Sequence, residues 1–342
     1  MNWADLISDT FFSILAAGFF VGIVVGLTGM GGGALMTPAL IFLGVGHTSA
    51  IVTADLTAAA IYKSGGAIVH WREGSPNVRL AGWLILGSVP MAFLGPHLVP
   101  LISDDAKSLE DTLKLCIGTA LLFAASTYAL RIFLNMRMHS KGGALPDPEP
   151  PIRPVITLLV GALGGLLVGI TSVGSGSVIM VALLMLYPGL SPVKLVGTDL
   201  MQAVPLVLAA ALSNIQLHGL AWDLLIPLVI GSVPGTILGS RIAPRVKQSI
   251  IRRGLIVVLT MSGTALLFKG GIHPYGADQD TLEATTVAAV GVAMLVLVPV
   301  VWGFLRRQHG LPMFGAPTVS ELETAPLLDG PLLDRPLPDG QG

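Results

Sequence analysis

The sequence predicts an all-α polytopic membrane protein built from two inverted repeats, and three observations carry that expectation. Hydrophobic residues make up 53% of the 342 and charged residues 11%, with a mean hydropathy of +0.79, whereas a soluble globular chain carries roughly 25% charge. Several apolar blocks reach the about 20 residues that a helix needs to cross a bilayer. A glycine-rich apolar motif occurs twice, half a chain apart: GLTGMGGGALMTPAL from Gly26 to Leu40 and GITSVGSGSVIMVAL from Gly169 to Leu183. Glycine clusters are rare in such surroundings unless they break a membrane helix.

Each element follows in turn. The first motif block, Phe12 to Val45, is too long for one span, and its glycines split it into two short halves, a re-entrant hairpin. Crossings follow at Ile51 to His70, Leu80 to Leu101 and Thr112 to Phe133. The second motif block, Val155 to Tyr187, repeats the hairpin and precedes crossings at Val193 to Leu217, Trp222 to Ile242 and Ile251 to Phe268. One extra helix, Val287 to Leu305, has no counterpart in the first unit. The repeats then occupy residues 12–134 and 155–268 and the extra helix lies within 283–305. The linker 135–154 and the tail 306–342 are rich in Pro and Gly with little apolar periodicity, which reads as disorder.

Loop charge sets the orientation, because Lys and Arg in short loops mark the cytoplasmic side. Arg72 to Arg79, Arg131 to Arg153, Arg241 to Arg253 and the segment after Arg306 are the basic loops; Ser103 to Asp111 and Gly276 to Glu283 are predominantly acidic. The alternation works only if each motif block returns to the side it entered, with the N-terminus outside and the C-terminus cytoplasmic. The first ten residues hold no Lys or Arg, so the first apolar run lacks the basic start of a cleaved signal peptide. At a shift of roughly 144 positions, Asp55-Leu56 matches Asp199-Leu200 and Gly87-Ser88-Val89-Pro90 matches Gly231-Ser232-Val233-Pro234. A hairpin plus three crossings is an odd count, so the second unit enters from the opposite face.

The same sequence excludes several classes. A net charge of -1 on so apolar a chain does not suit nucleic acid, and a single cysteine, Cys116, excludes an intrachain disulfide framework. There is no GxxxxGK[ST] phosphate loop and no HExxH. His47, His70, His97 and His218 lie near helix ends without a metal-ligand spacing. Ser175 with His218 is the one pair that could be nominated for hydrolysis, and no nucleophile motif frames it. No cofactor, no metal and no enzymatic activity are expected.

A broken hairpin starts its second half-helix with unpaired backbone N–H groups and the positive end of the helix dipole, an arrangement suited to a small anion. Two such starts, at Gly31, Gly32 and Gly33 and at Gly174, Ser175, Gly176 and Ser177, would point at one central cavity. Hydroxyls of Thr28, Thr171, Ser172, Ser175 and Ser177 would add donors. The plain alternative is that the glycines only let helices pack closely. A charge at bilayer depth costs about 2.5 to 3.5 kcal/mol on insertion scales, so Lys63 is a candidate cation for the anion, against snorkelling to the interface or pairing with Asp55. Asp55 and Asp199 are repeat-related; they either orient the hairpins, with Asp199 as a helix cap, or couple a proton or another cation. Gln202, Asn214 and Gln216 are candidates for tying helices together.

The run from Gly29 through Gly31-Gly32-Gly33 to Pro38 and Leu40 resembles the G-x-G-G-G-x-x-x-x-P-x-L signature of the TauE/SafE sulfite exporter family, and the likeness covers about Phe12 to Leu305. The second copy, Val173-Gly174-Ser175-Gly176-Ser177, looks like a variant with Ser175 for the middle glycine and Val181 for proline. The resemblance implies a permease in a bacterial inner membrane that moves small sulfur-containing anions, such as sulfite or organosulfonates, and it implies no enzyme. A coupled carrier working by alternating access leads; a passive anion channel and a non-transporting membrane assembly or sensor protein are the rivals. The partners expected are the small anion and the lipid bilayer, with oligomeric state left open.

Overall fold

Every regular element among the described residues is a helix. The computed structural model describes residues 9–28, 32–72, 76–102, 105–140, 151–174, 176, 178–187, 190, 192–243, 246, 248–273 and 280–308. In chain order the helices are α1 (Asp9–Thr28), α2 (Gly33–Leu43), α3 (Thr48–Arg72), α4 (Val78–Leu98, continued by a 3-10 turn at Val99–Leu101), α5 (Ala106–Ser140), α6 (Pro154–Thr171), α7 (Val178–Leu186), α8 (Pro192–His218), α9 (Trp222–Ile242), α10 (Gln248–Lys269) and α11 (Asp280–Gln308). Seven of these, α1, α4, α5, α6, α8, α9 and α11, contain stretches long and apolar enough to cross a membrane.

Both glycine motifs break their helices, as expected, but the halves are unequal. The outgoing legs α1 and α6 are 20 and 18 residues long, about 30 and 27 Å at 1.5 Å per residue. The return legs α2 and α7 are 11 and 9 residues. Expecting two short halves therefore misjudged the outgoing legs. Asp9 and Thr10 continue α1 ahead of the apolar block, so the break comes at the end of a full-length helix. The second block closes on itself as a hairpin. Tyr187, just past α7, accepts the Arg153 N–H at 2.9 Å and shares a 2.6 Å hydrogen bond with the Thr157 hydroxyl, so the end of α7 lies beside the start of α6. Around the first block, Glu110 near the start of α5 accepts the Thr48 N–H and hydroxyl, the latter at 2.6 Å. That capping places the exit of the α1–α2 block at the same end as the beginning of α5.

Glycine stripes decide which helices touch. Along α1, Gly18, Gly22 and Gly26 lie against the α9 backbone at Leu228, Ser232 and Thr236, while Gly231, Gly235 and Gly239 of α9 lie against Leu15, Phe19 and Ile23. The positions climb together, so α1 and α9 run parallel and in backbone contact, the close approach that small residues permit in membranes. The same arrangement joins α4 to α6, where Gly161, Gly165 and Gly169 meet Leu84, Ser88 and Ala92. Helices α5 and α10 instead run antiparallel, with Gly118 against Gly263 and Leu115 against Gly270. Exchanging the two halves of the chain maps α1 on α9 onto α6 on α4, and α5 on α10 onto itself. Helix α11 packs on α10, with Gly291 against Met261. Its Val292, Leu295, Val296, Val300 and Phe304 are exposed, a surface that lipid covers.

Candidate functional site

The breaks of the two hairpins touch. Gly33, the first residue of α2, sits directly against Ser172, the residue that ends α6; a Cβ on Gly33 would strike the Ser172 carbonyl oxygen and come within 2.6 Å of its hydroxyl. Ser172 takes a left-handed conformation, φ 60°, and its N–H closes the last turn of α6 on the Val168 carbonyl. Gly174 follows at φ 119°, a backbone geometry that glycine alone adopts without strain.

A carboxylate pins this junction. Asp55 on α3 is fully buried, and its Oδ2 accepts hydrogen bonds from Thr37 on α2 at 2.6 Å and from Ser172 at 2.9 Å. One oxygen thus joins the return leg of the first hairpin to the break of the second, while Oδ1 is buried without a hydrogen-bond partner among the described residues. Such an orphan is costly in a low-dielectric interior and calls for an explanation. On the next turns of α3, the Tyr62 hydroxyl accepts the Gly32 N–H at 3.0 Å. One of the backbone donors expected to be open at the first break is therefore already engaged.

Lys63 is 6% exposed and feels the charge of both Asp199 and Asp55, so the cation stays inside the protein rather than snorkelling to an interface. Asp199 is buried in α8, where it accepts a 3.1 Å hydrogen bond from Gln202 Nε2. It lies two turns past the helix start at Pro192, which removes the helix-cap reading, since a cap must precede the first turn. Asn214 ties helices as expected, donating to the Gly169 and Ala210 carbonyls at 3.0 and 2.9 Å. Gln216 is exposed.

Of the remaining candidates, Thr28 donates to the Val24 carbonyl of its own helix at 2.8 Å. Thr171 donates to Leu167 at 2.6 Å and accepts the Val173 N–H. These two repeat-related threonines finish the outgoing legs. Gly176 is buried at the second break. Gly31, Ser175 and Ser177 lie outside the described residues. Gly32, Gly33, Ser172, Asp55, Lys63 and Asp199 form one connected cluster. Thr37, Tyr62 and Tyr187 were not singled out as site residues from the sequence, because a lone hydroxyl in an apolar helix carries no spacing signal.

The cluster is unequal between the halves. At a shift of 144, Tyr62 and Lys63 correspond to Leu206 and Val207, and with the glycine motifs aligned, at a shift of 143, Thr37 corresponds to Met180. The first half supplies the cation and most of the hydroxyls; the second supplies Ser172 and the second carboxylate.

Helices of membrane length around a buried charged cluster define a multi-pass membrane protein, and two proteins it is similar to carry the name of probable membrane transporters. The family model described as Sulfite exporter TauE/SafE matches residues 14–266, and the chain belongs to that family. It is 34% identical over 255 residues to the "Probable membrane transporter protein YjnA" of Bacillus subtilis (strain 168), covering 75% of this chain and 99% of that protein. It is 23% identical over 257 residues to the "Probable membrane transporter protein YdhB" of the same organism, again covering 75% and 99%. No solved structure matches the chain. The protein is a membrane transporter, of an exporter family rather than an enzyme class. The family match ends before α11, the helix without a counterpart in the first repeat.

Proposed function

We propose that this protein is a secondary transporter that carries a small anion, sulfite or an organosulfonate, across a bacterial inner membrane by alternating access. The observation that carries this reading is the meeting of the two breaks, Gly33 against Ser172, beside the buried cation Lys63. A channel needs a continuous path, whereas a carrier needs one site reachable from each side in turn. In this reading the α2 start, the Ser172 hydroxyl and Lys63 hold the oxyanion, and the N–H groups around Gly174 and Gly176 approach it from the second half.

The repeats at residues 12–134 and 155–268 are taken as inverted, with the N-terminus outside, the linker 135–154 and the tail 306–342 cytoplasmic, and the stretch 283–305 of α11 as the return crossing. Support comes from the antiparallel pairing of the repeat mates α5 and α10 and from the loop charges. The rocking bodies are not the two halves of the chain, since α1 is packed on α9 and α6 on α4. Each body combines helices from both repeats.

The test is uptake by purified protein in liposomes, with sulfite, thiosulfate, sulfoacetate, sulfate and chloride offered separately. Saturable uptake of at least one sulfur anion, with little chloride movement, is expected. Non-saturating conductance of chloride would replace the carrier with a channel, and transport of none of the sulfur anions would reject the substrate class.

A further inference from the structure

We propose that Asp55 carries a proton with each transported anion, and that its ionised carboxylate occupies the hydroxyl cradle the substrate needs, so that anion and bare carboxylate exclude one another. The inference rests on the anion-carrier reading above and adds the co-substrate and the residue that binds it.

The geometry assigns different work to the two repeat-related carboxylates. Asp55 Oδ2 takes the hydroxyls of Thr37 and Ser172 at 2.6 and 2.9 Å, from the two hairpins whose breaks meet. Those are the donors a small oxyanion at this junction would use, and a carboxylate is chemically an oxyanion. Oδ1 is fully buried with no hydrogen-bond partner among the described residues, the position where a proton attaches without breaking an existing bond. Asp199, by contrast, accepts the Gln202 amide of its own helix, and its charge reaches Lys63 as that of Asp55 does. In this proposal it serves as the counter-charge of the lysine.

Charge arithmetic then couples the two ligands. With Asp55 and Asp199 ionised and Lys63 charged, the cluster is net negative, and an entering anion meets repulsion as well as occupied donors. Protonation of Asp55 at Oδ1 neutralises the cluster, weakens the hold of Oδ2 on Thr37 and Ser172, and frees those hydroxyls for the anion. When the anion leaves, the proton leaves with it and the carboxylate reclaims the cradle, which lets the empty carrier return. Among the described residues the groups around Asp55 are few: its own helix presents Tyr62 and Lys63, α8 presents Asp199, and α2 and the second break present hydroxyls. On α5, Glu110 is committed to Thr48 and Lys114. On α9, Asp223 and Arg241 are exposed near the two ends of the helix.

The experiment uses the full chain in liposomes loaded with a pH-sensitive dye, offering methanesulfonate, thiosulfate, sulfite and sulfate under an imposed pH gradient. For one proton per monoanion, accumulation of methanesulfonate at equilibrium rises about tenfold per pH unit of inward gradient, because one unit corresponds to a tenfold change in equilibrium constant. Asp55→Asn, a fixed mimic of the protonated form, is expected to lose both gradient-driven accumulation and proton uptake, at a changed rate of internal-for-external anion exchange that is still measurable. Ser172→Ala, which removes one donor from Oδ2, is expected to keep coupling but move the pH of half-maximal uptake. Uptake by wild type without proton movement overturns the coupling and leaves anion transport standing. Wild-type coupling in Asp55→Asn overturns the residue assignment. Transport of no anion by folded wild type overturns the carrier reading and this proposal with it. If Asp55→Asn does not fold, an unchanged pH dependence in Ser172→Ala alone overturns the shared cradle.

Discussion

At Gly33 the absence of a side chain has a direct steric consequence. A methyl group there would be driven into the backbone of Ser172, which ends a helix and cannot yield as a flexible side chain would. Overpacking costs about 1–3 kcal/mol, so Gly33→Ala is expected to lower anion uptake by about tenfold or more with folded protein confirmed by size-exclusion chromatography. Gly254→Ala is the control, because nothing lies within 4 Å of its added carbon; equal uptake by both variants would mean that the contact between the breaks has no bearing on transport. Tyr62 offers a second handle. Tyr62→Phe removes the acceptor of the Gly32 N–H, and an unsatisfied buried donor costs about 1–3 kcal/mol. A lower thermal unfolding midpoint in detergent is the expected outcome, and an unchanged midpoint would show that this N–H finds another partner. The charged members of the cluster were legible in the sequence because a lysine or aspartate in an apolar helix is conspicuous. Thr37 was not, since its partner is eighteen positions away in sequence and no local pattern links the two.

Elements were legible where apolar length alone sets them. Helix α9, Trp222–Ile242, has the bounds its apolar block predicts. Helix α5 runs from Ala106 to Ser140 and starts six residues ahead of the block Thr112 to Phe133, where Lys114 pairs with Glu110 at 3.4 Å and Asp111 at 3.9 Å across its first turns. Such i,i+3 and i,i+4 pairs hold helix in polar sequence, where a hydropathy window registers nothing. The unequal hairpin legs escaped for a related reason: the glycines mark where a helix breaks, not how far it extended beforehand. Closure of the second hairpin depends on Tyr187. Tyr187→Phe removes the hydrogen bonds to Arg153 and Thr157, a loss of about 1–2 kcal/mol at typical net values. It is expected to raise proteolysis at the α7 exit, measured by mass spectrometry of limited digests. A cleavage pattern identical to wild type would mean that packing of α7 on α5 closes the hairpin without Tyr187.

For the whole molecule, inversion and hairpin closure are one question, because a motif block that crossed the membrane would reverse every later helix. Loop charges supply one line of argument and helix directions another. Helix α1 runs parallel to α9 and α4 parallel to α6, while α5 runs antiparallel to α10. Reversal at the short connections from α3 to α4, from α4 to α5 and from α9 to α10 then leaves α1 and α3 pointing the same way. That is possible only if α2 brings the chain back between them. Surface labelling makes the consequence measurable, since Cys116 is the only native cysteine and can be replaced by alanine. Gly46, Arg79 and Lys107 are all exposed. In that background, Gly46→Cys and Lys107→Cys are expected to react with a membrane-impermeant maleimide on intact cells, and Arg79→Cys only after permeabilisation. Labelling of Arg79→Cys on intact cells, with Gly46→Cys and Lys107→Cys reacting only after permeabilisation, would make the first motif block, entered from outside, a true crossing and remove the geometric basis for two breaks approaching one site from opposite faces.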